Sequence, residues 1–329
     1  MSYAPEVFDK AKRELNSRRI SAKTTADRHY EEIEKKVPEI AEIISQLAST
    51  SIALSNLILK DKNNFQENFN KIRENNIQGQ QMIKELLIAN GYSTDFLDVK
   101  YRCSMCDDTG FVDGKRCDCF NDLLGKYAVE ELNANSQVNL YSFDSFSLNY
   151  YPNQEINGIN CYFKMKENFD YCKNYANSFS LNSHSIFMLG MTGLGKTHLS
   201  LSIAKTVIEK GYNVAYDSIV NYLRLIEKEH FSRTNPDVDT LQLILSTDLL
   251  ILDDLGSEFE SSFYTSTIYN IINTRLNKGL PTVISSNFSS AELQKRYDDR
   301  IISRLLTMYD YLRFVGNDIR QMKRLSGQS

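Results

Sequence analysis

Eight consecutive residues, Gly190-Met191-Thr192-Gly193-Leu194-Gly195-Lys196-Thr197, have the composition and spacing of a loop that wraps a phosphate chain. The glycines let successive backbone N–H groups turn toward one anion with no side chain in the way, and the helix that begins at the end of the loop adds the positive end of its dipole. Lys196 is placed to reach the terminal phosphates and the Thr197 hydroxyl to hold Mg²⁺. An apolar segment, residues 185–190, precedes the loop, and Leu199, Ile203 and Val207 follow it at helical spacing. Strand, glycine turn and helix in that order are the context in which this pattern binds a nucleotide.

About 55 residues downstream, Leu249-Leu250-Ile251-Leu252-Asp253-Asp254 is an aliphatic run that ends in two acids. Alone, such a pair reads as a turn or a helix cap. Beside a phosphate loop it reads as the acid pair of a phosphoryl-transfer site, because ligands of open parallel sheets bind beyond the carboxyl ends of the strands. Asp253 would hold Mg²⁺, usually through water, and Asp254 would orient and deprotonate the attacking water. Asn287 ends a second apolar segment, residues 281–287, where a polar side chain could hold that water against the γ-phosphate or could simply start a turn. Arg300, Arg304 and Arg320 offer cations for the charge that develops in phosphoryl transfer, although a single arginine is as often just solvated.

Cys103-x-x-Cys106 and Cys117-x-Cys119 put four thiols within 17 residues, with Gly110, Asp113 and Gly114 between the pairs to turn the chain back. Two close pairs that can face each other suit tetrahedral Zn²⁺, and four protein thiolates leave no open position, so the metal is expected to be structural. A redox pair or four unrelated core thiols are the alternatives; the C-x-x-C here does not open a thioredoxin-like helix. Cys161 and Cys172 read as ordinary buried residues, and His29, His184, His198 and His230 show no metal-ligand spacing.

The elements that must position these residues are of two kinds. From residue 185 onward, short apolar strands at 185–190, 213–216, 249–253, 281–287 and 312–315 alternate with amphipathic helical patterns, which implies an α/β domain with a parallel sheet covered on both faces. Residues 1–98 read as a helical, partner-binding domain, with Pro38 starting a helix. Ile40, Ile44, Leu47, Leu54 and Ile58 recur along one face of it, widened by Ile43, Ala48 and Leu57, and that face must be buried in a small bundle, against a partner, or both. Residues 99–125 form the cysteine knuckle, 126–160 a connector and 161–329 the nucleotide-binding domain.

The 329 residues are 42% hydrophobic and 24% charged, as in ordinary globular proteins. No run approaches the roughly 18 apolar residues of a membrane span. Glu6, Asp9, Lys10, Lys12, Arg13 and Glu14 stand where a signal peptide would be apolar, so a cytoplasmic protein with no membrane partner is expected. Thiols stay reduced there, which disfavours a disulfide framework for the six cysteines. The formal net charge of −4 means that any nucleic-acid contact must come from a local basic surface, for which Arg224, Lys228 and Arg233 are candidates.

Taken together, GMTGLGKTHLS, LLILDDLG, IINTRLNKGLPTVISSN, RIISRL and FVGNDIR resemble, over about residues 100–320, the bacterial replicative-helicase loaders of the DnaC and DnaI type and the related IstB-like transposition helper ATPases. The resemblance implies an AAA+ P-loop three-layer sandwich with a five-stranded parallel sheet and no large helical lid, and hydrolysis of ATP. It implies that Asn287 is the sensor-1 residue, that Arg304 is the arginine finger acting on a neighbour's nucleotide, with Arg300 competing for the role, and that Arg320 is the sensor-2 arginine. It further implies subunits that associate side by side through the ATPase domain, single-stranded DNA bound inside the assembly, and an N-terminal domain that grips the replicative DNA helicase during DNA replication. The first hundred residues carry no matching motif, so their helicase-binding role follows from family position only. One departure is the pair Asp253-Asp254 where many AAA+ proteins have Asp-Glu; the shorter base permits hydrolysis but could slow it. Two other readings remain: an IstB-like transposition helper, and an adaptor that binds ATP without turnover. The knuckle and long helical front favour the loader over the first, and intact Lys196, Asp253 and Asp254 argue against the second.

Overall fold

The glycine-poor N-terminal sequence forms three helices, α1 (Pro5–Lys36), α2 (Pro38–Lys60) and α3 (Phe65–Ala89). The computed structural model describes residues 4–60, 65–135, 140–156, 158–232 and 239–325, with side chains left undescribed at 50–68, 135, 323 and 325. The chain divides into two compact units, Ala11–Asn121 and Asp122–Ser329 with Met1–Lys10. Within the first, Ile33, Val37, Ile40 and Leu87 are buried together, with Ile44, Ile83, Leu86, Tyr92, Phe96 and Leu97 packed around them. The start of the α2 stripe is thus bundle core, each such side chain contributing roughly 1.5–3 kcal/mol by leaving water. Leu47 lies so close to α3 that a Cβ on Gly79 would fall 2.8 Å from its Cδ2. Leu54, Leu57 and Ile58 of the same stripe lie outside the described side chains. Pro38 occupies the first turn of α2, where a missing N–H costs nothing.

The knuckle is a two-stranded hairpin, β1 (Phe111–Val112) and β2 (Lys115–Arg116). Asp113 and Gly114 join the strands with φ of 48° and 76°, the two left-handed positions of a type I′ turn. Helix α4 (Asp118–Asn135) follows. The described residues of 140–160, in the stretch that reads as a connector, include two 3-10 turns, Phe143–Ser145 and Leu148–Tyr150, and the paired strands β3 (Glu155–Ile156) and β4 (Ile159–Asn160).

The second unit is built on α5 (Cys161–Asn177), β5 (Ser185–Leu189), α6 (Lys196–Glu209), β6 (Val214–Ser218), α7 (Ile219–Phe231), α8 (Thr240–Ser246), β7 (Leu249–Asp253), α9 (Ser262–Asn277), β8 (Thr282–Ser286), α10 (Ser290–Arg296), α11 (Asp299–Thr307), β9 (Tyr309–Arg313) and α12 (Ile319–Leu325). The five strands form one parallel sheet in the order β6-β7-β8-β5-β9. Side chains alternate between its faces, and both faces are apolar because both are covered. Ile186, Met188, Ile251 and Val283 join residues of α5 and α6, including Cys172, Leu199 and Ile203, on one side. Phe187, Leu189, Leu250, Leu252 and Ile284 join residues of α7, α8, α9 and α11, such as Tyr222, Ile268 and Ile301, on the other. This is the three-layer AAA+ sandwich expected from the motifs. Among the described residues the short α12 follows β9.

Two strands differ from the sequence pattern by more than one residue at an end. The last strand is Tyr309–Arg313, not 312–315. As an edge strand it has only Tyr309 and Leu312 buried, on opposite faces, among half-exposed or exposed Asp310, Tyr311 and Arg313, so its apolar signal is diluted; the apolar Phe314 and Val315 lie just past it. Strand β6 continues to Ser218, beyond the expected residue 216, because the buried Asp217 is satisfied by Asn221 Nδ2 at 2.9 Å.

Candidate nucleotide-binding site

The phosphate loop leaves the carboxyl end of β5 and turns into α6, whose N-cap, Gly195, has φ of 87°. Gly193 is also left-handed, with φ of 75°, and a Cβ there would lie 2.0 Å from Asp318 Oδ1. Both positions therefore need glycine for backbone conformation and for space. Lys196, on the first turn of α6, is only 4% exposed. Its ammonium donates to Gly190 O at 2.7 Å, Met191 O at 2.8 Å and Asn287 Oδ1 at 2.7 Å, which ties the loop to the end of β8. Burial pushes the Lys196 pKa down to about 8, with the nearby Asp254 and Asp253 opposing that shift.

The acid pair meets the loop directly. Thr197 Oγ1 donates to Asp253 Oδ2 at 2.8 Å, so the two groups assigned to one metal ion are adjacent, on α6 and β7. Asp253 Oδ1 accepts from the Ser285 hydroxyl of β8. Asp254 has a left-handed backbone, φ 59°, and its N–H donates to Ser285 Oγ at 3.1 Å. Its Oδ1 accepts from Asn287 Nδ2 at 2.6 Å. Burial, and then the neighbouring Asp253, raises the Asp254 pKa above the ordinary carboxylate value, against the pull of Lys196 and Asn287. A carboxylate made more basic in this way is better suited to take a proton. The sheet order explains the convergence: β8 lies between β7 and β5, so the ends of these three strands bring together the acids, the asparagine and the phosphate loop.

Ser285 is the residue the sequence pattern did not single out. Its signal was there: a serine in a strand that is buried on both faces needs a polar partner. The other omission is an aromatic wall. Tyr141, Phe146, Tyr150 and Ile319 line a cleft of about 240 Å³ together with the phosphate loop, Asp254 and Asn287. Phe146 stacks on Phe169 and Tyr151, at ring separations of 5.4 and 5.8 Å, and Tyr151 donates to Leu194 O at 2.9 Å. These contacts fix part of the supposed connector against the loop. An aromatic surface beside a glycine turn offers the base and the phosphates of a nucleotide one wall each.

Of the three arginines, Arg320 lines this cleft, whereas Arg300 and Arg304 do not. Both lie on α11. Arg304 donates to Asn273 Oδ1 at 2.9 Å and to Arg300 O at 2.9 Å, and stands over the Tyr269 ring at 5.0 Å, while Arg300 is exposed. On α7, Arg224 and Lys228 are exposed; Arg233 lies outside the described residues.

In the first unit, the sulfurs of Cys103, Cys106, Cys117 and Cys119 all lie within 4.8 Å of one another, the one such cluster of potential metal ligands among the described residues. Cys103 and Cys117 are 3.8 Å apart and Cys106 and Cys119 3.4 Å. Tetrahedral zinc with Zn–S bonds of about 2.3 Å requires S···S separations of about 3.8 Å, so the donor set fits that ion. Backbone amides of Cys106 and Met105 push the Cys103 pKa down to about 7, while burial raises that of Cys119. Asp108, 1% exposed, accepts from Arg102 N and Cys103 N at 2.8 and 3.0 Å and so braces the first pair. Cys161 and Cys172 are buried singly in the α/β unit. No described helix is long and apolar enough to cross a membrane.

A five-stranded parallel sheet with a phosphate loop after one strand and an acid pair two strands away defines a P-loop nucleotide-binding module of the AAA+ type. Residues 165–326 match the family described as IstB-like ATP binding protein, and the resemblance to DnaC/DnaI-type loaders holds in comparison with individual proteins. The chain is 23% identical over 133 residues to the replicative helicase loader DnaC of Escherichia coli K12, covering 40% of this chain and 54% of that protein. It is 28% identical over 113 residues to the replicative helicase loader DnaI of Bacillus subtilis 168, covering 34% and 36%. The match thus spans about half of the former and a third of the latter. A crystal structure of the DnaC helicase loader superposes with a TM-score of 0.44 at 23% identity, covering 53% of this chain and 98% of that one.

Proposed function

We propose that this chain binds and hydrolyses ATP and acts as an ATP-dependent loader of the replicative DNA helicase onto single-stranded DNA, in the cytoplasm, during DNA replication. The observation that carries the ATPase reading is the pair of hydrogen bonds Thr197–Asp253 and Asn287–Asp254, which hold both acids at the mouth of the phosphate loop. Lys196 and the loop amides bind the β- and γ-phosphates, and Arg320 adds positive charge at the cleft's rim. Thr197 and Asp253 are the residues that would hold Mg²⁺, which when bound neutralises charge on the phosphate oxygens. Asn287 orients a water; its oxygen attacks the γ-phosphorus, Asp254 takes its proton, and the bond to ADP's β-phosphate oxygen breaks. Arg304 serves a neighbouring subunit's nucleotide, a reading supported by the way Asn273 and Tyr269 hold it outside its own cleft. The four knuckle cysteines hold a structural Zn²⁺.

The loader reading is supported by the names of the relatives and by a helical N-terminal region, residues 1–98, that leaves Ile77, Met82 and Ile88 of α3 exposed for a partner. Arg224 and Lys228 are candidates for the DNA contact. The match to an IstB-like family favours one other role, helper of a transposase. The deciding experiment is gel filtration of the full chain, with and without ATP, mixed with the purified replicative helicase or with an IS21-type transposase. Co-elution with the helicase in an ATP-dependent complex is expected; co-elution with the transposase alone, or with neither, would overturn the loader assignment.

A further inference from the structure

His198 follows Thr197 on the first turn of α6, and its side chain turns away from the acids toward residues 140–146. Its Nε2 lies 3.0 Å from Ser142 O and 3.0 Å from Ser145 Oγ. A carbonyl only accepts, so Nε2 carries the proton and donates to it. The Ser145 hydroxyl donates to the same carbonyl at 2.7 Å, closing the 3-10 turn that holds Phe143 in the core. The imidazole also stacks on Tyr141, with ring centroids 4.7 Å apart and an interplanar angle of 20°, and meets Phe146 edge-on at 5.3 Å. Tyr141 is 44% exposed and Leu140 is exposed too, so this end of the wall has little burial to hold it. Farther on, Phe143 and Tyr151 are buried and anchor the rest. One turn of α6 thus grips both ends of the cleft, phosphates through Lys196 and Thr197 and the aromatic wall through His198.

We infer that His198 is a positioning residue for the nucleotide base: by fixing Tyr141 and the turn at Ser142–Ser145 it sets how tightly a purine nucleoside triphosphate is held, without acting on the phosphate loop. This rests on the cleft being a nucleoside triphosphate site. A role in base binding and a role in loop structure differ in a ligand that has no base. The test is calorimetric titration of the full chain with Mg·ATP and with inorganic tripolyphosphate, for the natural protein, His198→Ala and His198→Gln, beside steady-state hydrolysis.

His198→Ala is expected to weaken ATP about tenfold, as one lost hydrogen bond and one lost ring contact imply, while tripolyphosphate affinity stays put. The KM for ATP should rise with kcat preserved. Glutamine, whose amide can still donate to Ser142 O but cannot stack, should restore part of the loss. Equal weakening of both ligands, or unchanged ATP affinity, would overturn the inference. Should His198→Ala fail to fold, Tyr141→Ala at the exposed end of the wall gives the same comparison, and an effect on tripolyphosphate or none on ATP sinks the idea. If the natural protein bound tripolyphosphate but showed no gain from the base of ATP, the inference would fail while the phosphate site stood; binding of neither ligand would remove the site itself.

Discussion

Replacing Ser285 by alanine tests the geometry of the acid pair most directly. The hydroxyl is 1% exposed, donates to Asp253 Oδ1 and accepts the Asp254 N–H at 3.1 Å. Removing it deletes a hydrogen bond to a carboxylate, worth about 1.5–3 kcal/mol, and leaves a backbone donor unpaired, at a cost of about 1–3 kcal/mol. Both acids are only half-buried, so water recovers part of this, and a loss of about 3 kcal/mol is expected. For a domain of this size that is about 6–12 °C in Tm. Ser286→Ala is the control. Its hydroxyl, fully buried on the same strand, donates to Leu255 O at 2.6 Å and accepts from Phe288 N at 3.2 Å, with no contact to either carboxylate. It should cost about 1–2 kcal/mol. The two differ in function: Ser285→Ala should raise the Mg²⁺ concentration needed for half-maximal ATP hydrolysis, and Ser286→Ala should not. Urea denaturation of the α/β unit and a Mg²⁺ titration of hydrolysis measure both effects. A Ser285→Ala protein within about 0.5 kcal/mol of the natural one, with an unchanged Mg²⁺ requirement, would refute the proposed arrangement.

Four further outcomes are expected. Lys196 titrates near 8 in the free protein and must be charged to hold phosphate, so ATP affinity should be flat below pH 8 and fall by up to about tenfold per pH unit above it; Lys196→Ala should abolish binding, and unchanged affinity would dismiss the site. Asp254→Asn should keep ATP binding and lower hydrolysis by about a hundredfold or more, and because the raised Asp254 carboxyl works deprotonated, hydrolysis in the natural protein should be lost as pH falls through that pKa; an equal loss of binding would contradict its role as base. Arg304→Ala should leave nucleotide binding intact and reduce hydrolysis by about a thousandfold, whereas full activity would move the finger to Arg300. Elemental analysis should find one zinc per chain, and Cys106→Ser should lose it and open residues 99–121 to proteolysis; a full zinc complement in that variant would discount the four-thiolate site.

What could be read from the residues alone was whatever is local. The phosphate loop is eight consecutive residues, the acid pair ends one strand, and the four cysteines fall within 17 positions, so ligand class and donor set follow from spacing. Buried strands such as Ser185–Leu189 announce themselves as unbroken apolar runs because both faces of the sheet are covered. The edge strand β9, partly solvated on both faces, did not, and its bounds were misplaced.

Tertiary structure decided everything made by residues far apart in the chain. Asn287 could be proposed as a sensor from its strand end, but its simultaneous bonds to Lys196 and Asp254 depend on β8 lying between β7 and β5. Ser285 becomes a clamp on both acids for the same reason. Likewise Tyr141 and Phe146, which look like residues of a linker, become a pocket wall because Tyr151 bonds to Leu194 and His198 to Ser142. Sequence periodicity records which side of an element is buried; which distant groups then share that buried space depends on strand order and chain reversal, and those exist only in the folded molecule.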